Sequence, residues 1–104
     1  MAKRYKVRWS PKAEQDIDGV AEWIIAQSGA VGPALNYIRR IRAYIDRFEN
    51  FPHRGTLRDD LYPGIRLIGF ERRVTIAFFI SDETIMIARI FYAGRDVDVL
   101  ASDD

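Results

Sequence analysis

The spacing of apolar residues changes twice along the chain, and each change marks a new kind of element. Lys3 to Trp9 alternates, with Tyr5, Val7 and Trp9 on one face and Lys6 and Arg8 on the other, which predicts a half-exposed strand. From Ala13 the step becomes three or four residues. Ala13, Ile17, Val20, Ala21, Ile24 and Ser28 form one helical stripe, while Glu14, Asp16, Asp18 and Glu22 occupy the other faces. Ser10-Pro11 supplies the start signal, because a serine oxygen accepts from an orphan amide and proline has no amide to orphan. Gly29 supplies the stop. Val31-Gly32-Pro33 begins a second helix after a turn too short for anything but an antiparallel return. Its stripe reads Ala34, Leu35, Ile38, Ile41, Ile45 and Phe48, and Pro52 ends it near Asn50.

Past a loop from Phe51 to Gly64, rich in turn-formers, the period returns to two. Ile65 to Phe70 and Val74 to Ile80 read as strands joined tightly at Glu71-Arg72, and Ser81 to Thr84 turns into a last strand beginning at Ile85 and closing at Gly94-Arg95-Asp96. These strands are apolar on both alternation sets. Val74, Ile76, Phe78 and Ile80 oppose Thr75, Ala77 and Phe79. Ile85, Ile87 and Phe91 oppose Met86, Ala88, Ile90 and Tyr92, with Arg89 interrupting the first set. The prediction is an α+β fold in the order β-α-α-β-β-β, a helical hairpin on a mainly antiparallel sheet, in a single domain over residues 1–104. One helical layer covers one sheet face, and a solvated second face would alternate with polar residues. Something must therefore cover the other face. Trp23, Ile25, Tyr37 and Tyr44 fall outside the helical stripes and extend that apolar surface, which points to a protein partner. The alternative is that the Phe51 to Gly64 loop and the C-terminal tail fold back as the second cover.

Composition narrows the class. The chain has 104 residues, 48% apolar and 30% charged, with no cysteine, no run long enough to span a membrane and no apolar leader, so a cytoplasmic protein is expected. Net charge is +1, but residues 1–58 carry 11 basic against 6 acidic side chains and residues 59–104 carry 5 against 9. Of the 16 basic residues 13 are arginine, the side chain suited to bidentate carboxylate and phosphate contacts.

Candidate chemistry is sparse. Without cysteine and with His53 alone in a loop, Cys-His pairs and paired-histidine metal sites are excluded, and neither a phosphate loop nor GxGxxG occurs. No cofactor or metal is expected. The acid pairs Asp59-Asp60, Asp82-Glu83 and Asp103-Asp104 sit in turns or the tail, as solvated charges do. What remains is Arg66, Arg73, Arg89, Arg95 and Tyr92 on the sheet or its ends, either a phosphate clamp or ion-paired surface groups.

Five segments together, in their order and spacing, resemble the RelE/ParE superfamily of bacterial toxins, and its ParE type in particular. They are Trp9-Ser10-Pro11-Lys12-Ala13, the stretch from Asp16-Ile17 to Trp23-Ile24, Phe51-Pro52-His53-Arg54-Gly55, Leu61-Tyr62-Pro63-Gly64-Ile65-Arg66, and Arg89-Ile90-Phe91-Tyr92-Ala93-Gly94-Arg95-Asp96. The resemblance implies the same element order, a role in a type II toxin-antitoxin system of the plasmid-stabilising kind, and a ParD-like antitoxin that wraps the toxin. Trp23, Ile25, Tyr37, Tyr44 and Phe79 are then the antitoxin-binding candidates. It also implies one of two activities. ParE-type members inhibit DNA gyrase without catalysis, and Arg66, Arg89 and Arg95 become the target-binding candidates, with DNA contacted only through the gyrase or antitoxin complex. RelE-type members cut messenger RNA on the ribosome, and Arg66, Arg73, Tyr92 and Arg95 would be the catalytic set. That set is incomplete, because a second basic residue expected just before Arg66 falls at Gly64 and a tyrosine expected beyond Arg95 falls near Ala101. A third class, a heteromeric adaptor without toxic activity, fits the apolar surface equally.

Overall fold

The computed structural model describes residues 4–92. A short strand β1 (Lys6–Trp9) leads into α1 (Pro11–Ser28) and α2 (Val31–Asp46), which a 3-10 turn extends over Arg47–Glu49. Four strands follow: β2 (Thr56–Leu57), β3 (Arg66–Phe70), β4 (Val74–Ser81) and β5 (Thr84–Tyr92). They form one sheet in the order β1-β5-β4-β3-β2, antiparallel except where β1 lies parallel beside β5.

The helix boundaries follow from the signals in the sequence. Ser10 accepts from the Ala13 amide at 3.0 Å, Pro11 occupies the first helical position, and Gly29 ends α1 in the left-handed region with its N–H on the Ile25 carbonyl at 2.7 Å. Ser10 has a second task. Its hydroxyl donates to the Ala88 carbonyl at 2.8 Å, tying the start of α1 to β5.

Two expectations about facing are corrected. The buried stripe of α2 is Ala34, Tyr37, Ile41, Ile45 and, in the 3-10 turn, Phe48, while Leu35 is 55% exposed. Tyr37 stands three residues after Ala34 and four before Ile41, so it lies on the same line as they do, and its ring meets Phe70 at 5.7 Å. Strand β5 does not alternate evenly either. Ile87 pairs with Phe78 and Arg89 with Ala77, leaving Ala88 as the extra residue of a β-bulge. The bulge flips the parity. Ile90 joins Ile85 and Ile87 in the core under the helices, and Phe91 faces the other way with Ala77.

The second sheet face is partly covered from within. Leu61 and Ile65, from the loop before β3, pack there with Ala77 and Phe91, and Leu67 and Phe79 border them. The loop therefore supplies part of the cover expected of a partner. The tail expected to join it, and with it Gly94, Arg95 and Asp96, lies outside the described residues. Two backbone positions hold the loop in place. Gly55 has φ 69°, and a Cβ there would stand 2.3 Å from the Leu67 carbonyl oxygen, so no other residue fits. Gly64 has φ 81° and donates its N–H to Asp59 Oδ1 at 2.7 Å.

Candidate partner-binding site

The polar geometry of the sheet centres on Arg89. Its Nε and Nη2 donate to the two carboxylate oxygens of Asp16 at 2.8 and 3.2 Å, and the Ile90 N–H donates to Asp16 Oδ2 at 2.8 Å. Both side chains are mostly buried, at 21% and 15% exposed. Donating to the Asp16 carboxylate holds the Arg89 guanidinium in its charged form more firmly than usual. Beyond Trp9, strand β1 no longer covers β5, and the Asp16 carboxylate satisfies an amide of that uncovered edge. Arg89, expected to face a target, is thus spent on joining α1 to the bulged strand. Sequence reasoning missed Asp16, because one acid among four on a helix, 73 residues from its partner, carries no local mark.

The remaining arginines diverge. Arg66 donates Nη1 to the Arg54 carbonyl at 3.1 Å, and Arg54 lies near the rings of Tyr44, Phe48 and Phe51. Arg73 lies at the opposite end of the strands, with its guanidinium 5.6 Å from the Trp23 ring centre. Arg66 pairs with Phe78, whereas Val74, next to Arg73, pairs with Phe70 and Tyr92. Four strand steps thus separate the two ends, roughly 13 Å at the usual rise. Tyr92 belongs to the Arg73 end, where its ring meets Trp23 at 5.9 Å. Gly19 makes room for it, since a Cβ there would lie 2.9 Å from the Tyr92 hydroxyl oxygen.

The five aromatic and apolar partner candidates do not form one surface. Trp23 and Tyr37 line a groove of about 470 Å³ between the helical hairpin and the β3–β4 turn. Ile25 is exposed on α1. Tyr44 packs into the core on Phe48 and Phe70, at 5.5 and 5.1 Å, and Phe79 lies on the second sheet face against Tyr62 at 5.5 Å. Tyr37 itself is 7% exposed, so it is core and groove wall at once.

The groove also gathers charge. Arg40 binds both carboxylate oxygens of Glu71 at 2.9 Å and lies 5.1 Å from the Tyr37 ring centre. Its hydrogen bond holds the Glu71 carboxyl below the usual range. The Tyr37 hydroxyl is buried without a hydrogen-bond partner among the described residues. Burial first, then the Glu71 charge, raises its pKa, while Arg40 and Arg73 pull the other way. Arg40 and Glu71 lie 31 residues apart, with nothing in the sequence to link them. Among the described residues there is no group of three or more histidine, cysteine, aspartate or glutamate side chains that could hold a metal, and no helix long and apolar enough to cross a membrane.

Comparison with known proteins agrees with this architecture. The family described as ParE toxin of type II toxin-antitoxin system, parDE, matches residues 7–97. Among solved structures, a chain of a chromosomal ParDE TA system from P. aeruginosa superposes with a TM-score of 0.74 at 23% identity, covering 86% of this chain and 97% of that one. A chain of the toxin-antitoxin complex RelBE2 from Mycobacterium tuberculosis gives 0.60 at 20% identity over 89% and 95%. A conserved hypothetical protein from Helicobacter pylori gives 0.50 at 13% over 88% and 97%. At these identities the structural likeness is one of fold. No curated protein matches the sequence.

Proposed function

The chain belongs to the family of ParE toxins of type II toxin-antitoxin systems, and from that premise we propose that it inhibits DNA gyrase by binding, without catalysis, until a ParD-like antitoxin neutralises it. The observation that carries this reading is the divergence of the arginines. A ribonuclease must bring a phosphate clamp and a proton-transferring group to one point. Here Arg66 and Arg73 stand at opposite ends of the strands, and Tyr92 packs on Trp23. Gly64, where a second basic residue would be needed, has φ 81°, a conformation strained for any residue with a side chain. Of the target-binding candidates, Arg89 is bound to Asp16, which leaves Arg66 and, outside the described residues, Arg95.

The test sets purified chain against gyrase supercoiling and against ribosome-bound messenger side by side. Inhibited supercoiling with intact messenger is expected, and Arg66→Ala or Arg95→Ala should weaken inhibition several-fold. Messenger cut at discrete codons by the native chain but not by Arg73→Ala would overturn the proposal. A ParD-like antitoxin, co-expressed, should restore growth of cells that express the chain.

A further inference from the structure

We propose that the groove between the hairpin and the β3–β4 turn binds the carboxylate of an acidic side chain on a partner segment, held by the Tyr37 hydroxyl and the Arg73 guanidinium. This rests on the antitoxin reading for the identity of the partner, and not for the binding of a carboxylate.

Three observations converge on that chemistry. Tyr37 lines the groove, is 93% buried, and its hydroxyl has no partner among the described residues. A buried donor left unpaired is costly enough that native structures seldom keep one without a use. Arg73 has no acid paired with it among the described residues and rests on the Trp23 ring. Arg40, by contrast, is matched by Glu71. The groove therefore holds two guanidinium groups and one carboxylate, which leaves one positive charge uncompensated. That balance suits a single negative charge. A doubly charged phosphate would exceed it and would meet Glu71. Of the other walls Asn36 is polar and neutral, while Trp23, Ile24 and Pro33 are apolar, as the stem and neighbours of an acidic side chain require. The volume of about 470 Å³ falls in the range of sites that enclose a small ligand.

The mode of entry follows from the same contacts. Arg40 and Arg73 are exposed side chains lying over the Tyr37 and Trp23 rings. An incoming carboxylate accepts from the Tyr37 hydroxyl and from Arg73, which leaves the indole to meet it. The cation-π contact given up is replaced by a charge-assisted hydrogen bond, which is the stronger of the two.

The experiment titrates the isolated chain with the blocked tripeptide acetyl-Leu-Glu-Leu-amide, its glutamine counterpart, and sodium isovalerate, followed by NMR at the Trp23 indole and the Arg73 Nε–H. Saturable shifts at both groups with the glutamate peptide are expected, with binding about tenfold weaker for the glutamine peptide. Tyr37→Phe should weaken the glutamate peptide about tenfold while leaving Tm unchanged or raised, because it removes a buried hydroxyl that no described residue satisfies. Equal binding of the two peptides, shifts confined to other residues, or no binding at all would overturn the proposal. So would a Tm lowered by several degrees in Tyr37→Phe, which would assign the hydroxyl to the fold. Isovalerate bound as tightly as the peptide would overturn the choice of a partner side chain in favour of a free carboxylate. Every arm uses the chain alone, so failure here leaves the toxin reading intact, and failure of the gyrase or antitoxin experiments leaves this one standing.

Discussion

The residue that does most for the fold per atom is Asp16. Its carboxylate accepts from Arg89 twice and from the Ile90 amide once, joining α1 to the part of β5 that β1 leaves uncovered. Asparagine in its place keeps the shape but loses the charge and one acceptor, leaving a mostly buried guanidinium short of its counter-ion. Asp16→Asn should destabilise the chain by about 2 to 4 kcal/mol, read as a lower urea midpoint at unchanged slope. A loss below about 0.5 kcal/mol, the range of ordinary surface changes, would mean that the bridge is ornamental. No sequence pattern could have singled out Asp16. Its role depends on the Ala88 bulge, and a strand apolar on both alternation sets gives no sign of where its parity flips. By contrast Ser10, Pro11 and Gly29 were legible, since their tasks are local and need only the neighbouring helix.

At the scale of elements, the sequence located every long helix and strand, because their periods are set by burial on a known face. It misjudged which large residue of α2 points inward, since Leu35 sits at the edge of the stripe, whereas Tyr37 lies on the line of Ala34 and Ile41 and meets Phe70. It also left open the position of β1, whose parallel pairing with β5 joins residues far apart in sequence. The β3–β4 turn is the most strained of the connections. In this three-residue connection Glu71 and Arg72 have φ 48° and 63°, the left-handed region that glycine and asparagine adopt more readily. Glu71 is retained there with its carboxylate on Arg40 and beside the groove. Arg72 makes no such contact among the described residues, and Arg72→Gly should relieve left-handed strain worth about 1 kcal/mol, offset in part by the freer unfolded chain. A Tm higher by a few degrees is expected. A lower Tm would show that the Arg72 side chain contributes more than the strain it imposes.

For the molecule as a whole, the sheet edges and the exposed apolar residues set how the chain meets other proteins. One edge is β1, whose outward residues Lys6 and Arg8 are charged, and the other is the two-residue β2, so neither invites another strand. Association is left to side chains. The end of the hairpin exposes Ile25, Val31 and Leu35, at 36%, 56% and 55%, close in sequence to the Ile24 and Pro33 that line the groove. Because more than half of Val31 and Leu35 is already in water, charging them removes little from the core. Val31→Lys and Leu35→Lys should each change stability by less than about 0.5 kcal/mol. If this end is part of the surface on which a partner closes, the pair of substitutions should cut self-association of the isolated chain in sedimentation velocity and weaken binding of a ParD-like antitoxin at least tenfold. Unaltered association and antitoxin affinity in a well-folded double variant would move the partner surface away from the hairpin, to the second sheet face where Tyr62 and Phe79 meet.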